Sequence, residues 1–400
     1  MNNHSMSLHG SNPIGFSILV WLLILLSGCT SLQPRESKLA SIDQFPAFGI
    51  PDGPDIDPAS ELDAVADVHI LSLSQEMKRI LDNTNAQIKN PVKRSEALLD
   101  LIRDNKLFGE TEDRHRTRTA METFSSGTGN CLSLSSALIA MARYVGFKAY
   151  FQDITVPPSW DRQGELLFLN RHVSVSLSVS RHREFEIDFH EEHYFHRKSD
   201  TRLNQQITDR KATAQYYNNI GSEHLANGNT PESFRYFVKA LTVDPQLSYV
   251  WSNLGSAYNR NNQEDAAEKA YKQAIAVNRN EFTAMSNLVR LYEKLGRKRE
   301  AASYRRKVQA FRNKNPYYHL AMGERAFDEN RYKDSIKHLK RAIRRKPDEP
   351  RFYFALGQVY LKLGKLKDAR KNLSKATTYR PDDSDRERYY RKGETPSESP

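Results

Sequence analysis

Cysteine is almost missing from this 400-residue chain, which carries it at positions 29 and 131 alone. Two thiols exclude a fold stapled by a disulfide framework. A long hydrophobic run is missing as well. The apolar stretch from Phe16 to Leu26 is 11 residues long, about half of what a membrane-crossing helix needs. Hydrophobic residues make up 38% of the chain. That is low, yet adequate for a helical array joined to a small α+β core. The length suggests two domains beside any export signal.

What the C-terminal half has in abundance is self-similarity. Gly221, Gly255, Gly323 and Gly357 fall on one evenly spaced comb, with Val289 in the remaining place. Three residues after each comes His224, Tyr258, Tyr292, Ala326 or Tyr360. Small or compact residues recur further on, at Ser233, Ala267, Ala301, Ser335 and Ala369, and again at Ala240, Ala274, Val308, Ala342 and Ala376. Pro245, Pro347 and Pro381 close three of the units. Small residues let two helices cross closely, aromatics fill the groove between neighbours, and proline ends the second helix. The pattern resembles the tetratricopeptide repeat family. Trp251, Leu254, Gly255 and Tyr258 make the second unit the nearest match. The third departs most, with Val289 for glycine and Arg305 for an aromatic. Five repeats over residues 214–383 are expected, forming an all-α solenoid that holds a protein or peptide on its concave face.

At the other end, Phe16 to Leu26 has the length of a signal-peptide core. It leads into Leu26-Ser27-Gly28-Cys29. This resembles a bacterial lipobox: small residues precede the cut, and a thiol follows it to carry the lipid. The resemblance implies a signal peptide over 1–28 and a mature chain beginning at a lipidated Cys29. It further implies several acyl chains that anchor the protein stably to a membrane. Thr30 in place of an aspartate suggests the outer membrane, facing the periplasm. Residues 29–60, with their prolines and aspartates, read as a tether. With Cys29 given to the lipid, Cys131 stands alone. A solitary thiol in an oxidising compartment is a liability unless buried or used.

The neighbourhood of Cys131 points to use. Gly127-Thr-Gly129-Asn130-Cys131 is a glycine-rich turn leading into the apolar period Leu134, Leu138, Met141, Ala142 and Val145, which Gly146 stops. Cys131 is therefore expected at a helix N-terminus. There the dipole and unpaired N–H groups favour a thiolate and can serve as an oxyanion hole. Residues 61–105 precede it as amphipathic helix, with Leu71, Met77, Ile80, Leu81, Leu98, Leu99 and Ile102 as candidate core.

After Gly146 the period becomes alternating. Phe147, Ala149 and Phe151 predict a strand, and Pro157 to Gly164 a loop. Val173, Val175, Leu177 and Val179 then alternate with polar residues, as do Phe185 and Ile187 beyond a turn near residue 181. In the simplest hairpin register, even-numbered residues of both strands share a face, so His172 and Asp188 become cross-strand or diagonal neighbours. A thiol at a helix start, a histidine on a strand and an aspartate on the next strand resemble the transglutaminase-like (papain-like) superfamily. The resemblance covers about residues 110–195, and with its N-terminal helices the α+β domain would span 61–200. It implies Cys131 as nucleophile, His172 in His172-Val-Ser-Val as base and acid, and Asp188 in Glu186-Ile-Asp188 as the residue orienting the imidazole. The implied chemistry is acyl transfer, as in a cysteine protease, an amidase or a transglutaminase. Hydrolysis is favoured over cross-linking because water is always present. An inactive domain of this fold, serving a lipid-anchored adaptor, is the alternative.

Asp188-Phe-His190-Glu-Glu-His193-Tyr-Phe-His196 is dense in metal-ligand types but lacks the i, i+4 histidine pair of a helical zinc protease. It reads as an exposed loop, and no metal or cofactor is expected. Residues 384–400 are polar and read as a disordered tail. The net charge is +11, and residues 297–346 hold 17 Lys or Arg against 5 Asp or Glu. Such a stripe suits an acidic protein or an anionic envelope polymer; outside the cytoplasm, nucleic acid is not an expected partner.

Overall fold

A computed structural model describes residues 41–50, 54–61, 63–85, 88–104, 116–163, 166–180, 183–187, 189, 195–197 and 205–378. The expected signal segment, Cys29, Asp188, His190, His193, Pro381 and the tail lie outside these residues. Helices α1 (Gln75–Asn85) and α2 (Pro91–Asp104) precede α3 (Ala120–Ser126) and α4 (Cys131–Tyr144). Among the described residues five strands follow: β1 (Lys148–Gln163), β2 (Leu166–Ser180), β3 (Arg183–Ile187), β4 (Phe195–Arg197) and β5 (Gln205–Ile207). They form one sheet in the order β4-β3-β2-β1-β5, every neighbour antiparallel.

The alternation read from the sequence is the one the sheet uses. Val173, Val175, Leu177, Ile187, Ala149 and Phe151 are buried in one core with Leu138, Met141, Met77, Leu81 and Leu98. The ladder between β2 and β3 pairs Val175 with Ile187 and Ser176 with Glu186, so even-numbered residues do face even-numbered ones. One expectation for the sheet is corrected. The stretch from Pro157, expected as a loop, is strand as far as Gln163 and pairs with β2 from Ser159↔Asn170 to Gln163↔Leu166. The ladder is interrupted between Ile154 and Ser159. Pro157 and Pro158 fall in that gap, where their missing N–H groups cost no ladder bond.

Among the described residues, five helix pairs make the C-terminal half: α5 (Asp209–Ala226) with α6 (Thr230–Val243), α7 (Ser248–Arg260) with α8 (Glu264–Val277), α9 (Phe282–Lys294) with α10 (Lys298–Lys314), α11 (Pro316–Asp328) with α12 (Tyr332–Arg345), and α13 (Pro350–Lys362) with α14 (Leu366–Thr378). The glycine comb lies where the two helices of a pair cross. A Cβ at Gly221 would meet the Phe237 ring at 2.8 Å, one at Gly255 the Tyr271 ring at 2.6 Å, and those at Gly323 and Gly357 would press on Leu339 and Leu373. Each of these partners holds the same place in the second helix of its pair. In the third repeat Val289 replaces the glycine, and the corresponding partner is Arg305, which is exposed and ion-paired with Glu293. The bulk added at one position is matched by a side chain turned outward at the other.

The segment expected to be a tether docks on the solenoid over its described part. Ile42, Phe45, Phe48 and Ile56 are buried. Phe45 lies 4.7 Å from the Trp251 ring, and Phe48 stacks at 4.7 Å on Phe234. The main chain of this strap is held by side chains of the second repeat. Gln263 donates to the Ala47 carbonyl at 2.8 Å and accepts from the Gly49 amide at 3.0 Å. Asn261 donates to the Gly49 carbonyl at 2.7 Å, and the Tyr258 hydroxyl donates to that of Pro46. Prolines and aspartates made this stretch read as a linker; contacts with residues remote in the sequence decide otherwise.

Candidate functional site

Cys131 is the first residue of α4, and it is half-buried. The turn that places it is built from short-range chemistry. α3 begins at a capping box, in which Thr119 and Glu122 satisfy each other's backbone amides. It ends at Gly127, whose φ of 69° suits glycine. Gly129 is needed for a different reason: a Cβ there would lie 2.6 Å from that of Ser133. Asn130 then caps α4, accepting from the Ser133 amide at 3.0 Å and from its hydroxyl at 2.9 Å. The N–H groups of Cys131 and Leu132 belong to the first turn and have no acceptor within the helix. Beside a nucleophilic thiol, such groups stabilise a developing oxyanion.

His172 stands on β2 opposite Ile154, on the last rung before the ladder is interrupted. One turn below Cys131, the Ser135 hydroxyl donates to the carbonyl of Val173, the next residue, at 3.4 Å. The bond sets the β2 backbone beside α4 one residue from His172. The His172 side chain and all of Asp188 lie outside what is described. Register parity holds through Ile187, the residue before Asp188. On the even face, Ser176 is bonded to Glu184, and Ser174 lies 3.5 Å from Glu186. His196 lies in β4 opposite Glu186.

Sequence reasoning did not single out the groups that hold the cysteine turn from outside. Asn130 donates to the Thr117 hydroxyl at 2.7 Å, and the Thr117 amide donates to Glu223 Oε1 at 2.8 Å. Glu223 belongs to α5, the first helix of the first repeat. Burial pushes its carboxyl above the ordinary range, against the lowering effect of the Thr117 bond. The Thr119-x-x-Glu122 signature and an asparagine just before an apolar period were visible signals for the caps. Nothing local announces Glu223.

In the basic stretch, Arg297 pairs with Glu268 and Glu300, Arg331 with Glu329 and Asp334, and Lys346 with Glu349. Lys333, Lys337, Lys340 and Arg344 are exposed and line one face of α12.

Comparison with known proteins agrees with this architecture. Residues 78–163, which contain Cys131 and stop short of His172, match the transglutaminase-like superfamily. Residues 213–243, 248–281, 323–364 and 350–383 match tetratricopeptide repeats. The chain is 30% identical over 119 residues to the uncharacterized protein ycf37 of Cyanophora paradoxa, a stretch covering 29% of this chain and 69% of that one. Among solved structures, PilF of Pseudomonas aeruginosa is 15% identical, covering 44% of this chain and 80% of that one with a TM-score of 0.26. YrrB, described as a TPR protein with an unusual peptide-binding site, is 16% identical, covering 42% and 87% with a TM-score of 0.24. Likenesses that distant decide nothing about function. The chain belongs to the tetratricopeptide-repeat proteins and is a relative of ycf37, with a transglutaminase-like domain ahead of its repeats.

Proposed function

We propose that this protein is a lipid-anchored enzyme of a bacterial envelope, facing the periplasm, that performs thiol acyl transfer on a substrate or partner held by its repeats. The observation that carries the reading is the placement of Cys131 at the first position of a capped helix, with Ser135, one turn further along, bonded to the carbonyl of Val173, the β2 residue after His172. The Cys131 sulfur attacks an amide carbonyl carbon, and a C–S bond forms. The C–N bond breaks, and His172, protonated by the thiol, hands its proton to the leaving amine. Asp188 orients the imidazole. Water then attacks the thioester carbonyl and releases the acid and the thiol; an amine in its place would give a cross-link. The exposed basic face of α12 suits an acidic protein or an anionic polymer of the envelope, and lipid on Cys29 holds the whole at the outer membrane.

The test is alkylation of Cys131 by iodoacetamide against pH, in the full chain with Cys29→Ser so that one thiol remains. Labelling that persists well below the ordinary thiol value of about 8.5, and that His172→Ala abolishes, supports the enzyme. A thiol that labels only on unfolding, or titrates regardless of His172, leaves the second reading. That reading is an inactive, lipid-anchored adaptor whose repeats scaffold an envelope complex.

A further inference from the structure

The turn that presents Cys131 is not completed within its own domain. Thr117 stands just ahead of α3, and its amide is buried against the first repeat. The acceptor for that amide is Glu223, on the side of α5 turned toward the domain. From Glu223 an unbroken chain of bonds runs to the cysteine helix. The Thr117 amide donates to Glu223 Oε1 at 2.8 Å, the Asn130 amide group donates to Thr117 Oγ1 at 2.7 Å, and Asn130 Oδ1 accepts from the Ser133 amide at 3.0 Å. A parallel strand of the same network ties the Arg118 amide to Ser133 Oγ at 2.8 Å. Thr117 is 4% exposed and Ser133 fully buried, so water does not substitute readily for a lost partner. The residue beside Glu223 on α5, Ser222, is bonded into a second network. Asn253 of the next repeat donates to Asn218 at 2.8 Å and lies 3.5 Å from Ser222. One turn of α5 therefore touches both the cysteine turn and the neighbouring repeat.

We infer that Glu223 is a positioning residue for the Cys131 turn, supplied by the first repeat, so that the candidate site is assembled across the junction and responds to how α5 is held. The inference rests on the reading of Cys131 as a nucleophile for its consequence, but not for its geometry. It assigns a role to a repeat residue that no repeat pattern requires. The equivalent places in the later repeats hold Ala257, Leu291, Arg325 and Val359 rather than a carboxylate.

The experiment uses the full chain with Cys29→Ser and compares Glu223→Ala, Glu223→Gln and Thr117→Val. Two quantities are read: the alkylation rate of Cys131 at pH 7, and hydrogen exchange at the amides of Thr117, Arg118 and Ser133. Glu223→Ala and Thr117→Val should each slow alkylation at least tenfold and speed exchange at these amides by a similar factor. Glu223→Gln keeps an acceptor for the Thr117 amide and should stay within about threefold of the parent in both, a rescue that general loss of stability would not give. Wild-type alkylation and exchange in Glu223→Ala would overturn the inference. So would equal losses in Glu223→Ala and Glu223→Gln, which would mark the effect as merely structural. If the parent thiol itself proves inert, the enzyme reading falls, and the exchange data alone decide the role of Glu223.

Discussion

Gly255→Ala tests the reason given for the repeat's glycine. On an exposed helix the change would stabilise by about 1 kcal/mol, because alanine is the better helix former. Here the new methyl would sit 2.6 and 2.7 Å from two carbons of the Tyr271 ring and 3.1 Å from a third. The ring cannot step aside. Tyr271 is 2% exposed, and its hydroxyl lies 3.3 Å from Ser256 Oγ. Helices α7 and α8 must separate instead. Overpacking of this kind costs about 1–3 kcal/mol, and with two sub-contact approaches the upper part of that range applies. After the propensity gain, a net loss of about 1–2 kcal/mol remains. Urea denaturation followed by helical circular dichroism reads it as a lower midpoint at unchanged slope. The companion measurement is Tyr271→Leu alone and with Gly255→Ala. In the smaller-side-chain background the methyl should cost much less, and the difference is the coupling between the two sites. A neutral or stabilising Gly255→Ala would refute the reasoning. An undiminished loss in the Tyr271→Leu background would move the cause away from the ring.

Three further outcomes are expected. His319 and His338 approach Nδ1 to Nδ1 at 3.2 Å between α11 and α12, and burial, with Arg341 nearby, holds both imidazoles below their usual range. A depressed folded-state value means the unfolded chain takes up protons first, so stability is full above about pH 6.5 and falls as pH drops below it. Urea midpoints at pH 7.5 and 5.5 should differ in the parent and converge in His319→Asn with His338→Asn. Glu268 is buried, which alone would raise its carboxyl, yet Arg297, Lys272 and Tyr292 hold it down to about 2. Its stabilising effect is present above the ordinary carboxyl range and lost as pH falls toward 2, and Glu268→Gln should remove that acid limb from the stability profile. Phe48 is fully buried against Phe234 and Tyr258. Phe48→Ala should cost about 3–5 kcal/mol in docking of the strap, read as new proteolytic cleavage between residues 41 and 60; an uncut strap would show that the main-chain bonds suffice.

What the sequence disclosed was what repeats at short period. The comb of Gly221, Gly255, Gly323 and Gly357 is visible because the same crossing recurs at an even spacing, and the alternation from Val173 to Val179 is visible because one face of the sheet is buried. Cys131 at a helix start followed from glycine, asparagine and an apolar period in one window. The strand through Pro157 and Pro158 was hidden, because two prolines ordinarily end a ladder and only the gap opposite them makes the strand possible. The docked strap and Glu223 were hidden for another reason. Each depends on a partner remote in the chain, and no local pattern carries that information.

These long-range contacts bear on how the two domains work together. Between the cysteine domain and the first repeat, Arg143 is bonded to Asp209 through two nitrogens, Lys211 pairs with Asp153 of β1 at 3.4 Å, and Thr117 is held by Glu223. The Tyr217 hydroxyl accepts from the Val68 amide at 2.8 Å and donates to the Ala66 carbonyl at 3.1 Å. Lys239, itself 5% exposed, pairs at 2.7 Å with Asp67, whose side chain is exposed. The apolar cluster is continuous across the same boundary, running from Leu81 and Phe151 to Tyr217, Trp251 and Tyr292. The first repeat is therefore a wall of the cysteine domain as much as the first turn of the solenoid. Cutting the chain between Ile207 and Asp209 should yield two fragments that each expose this shared core and bind an apolar dye, not two folded domains.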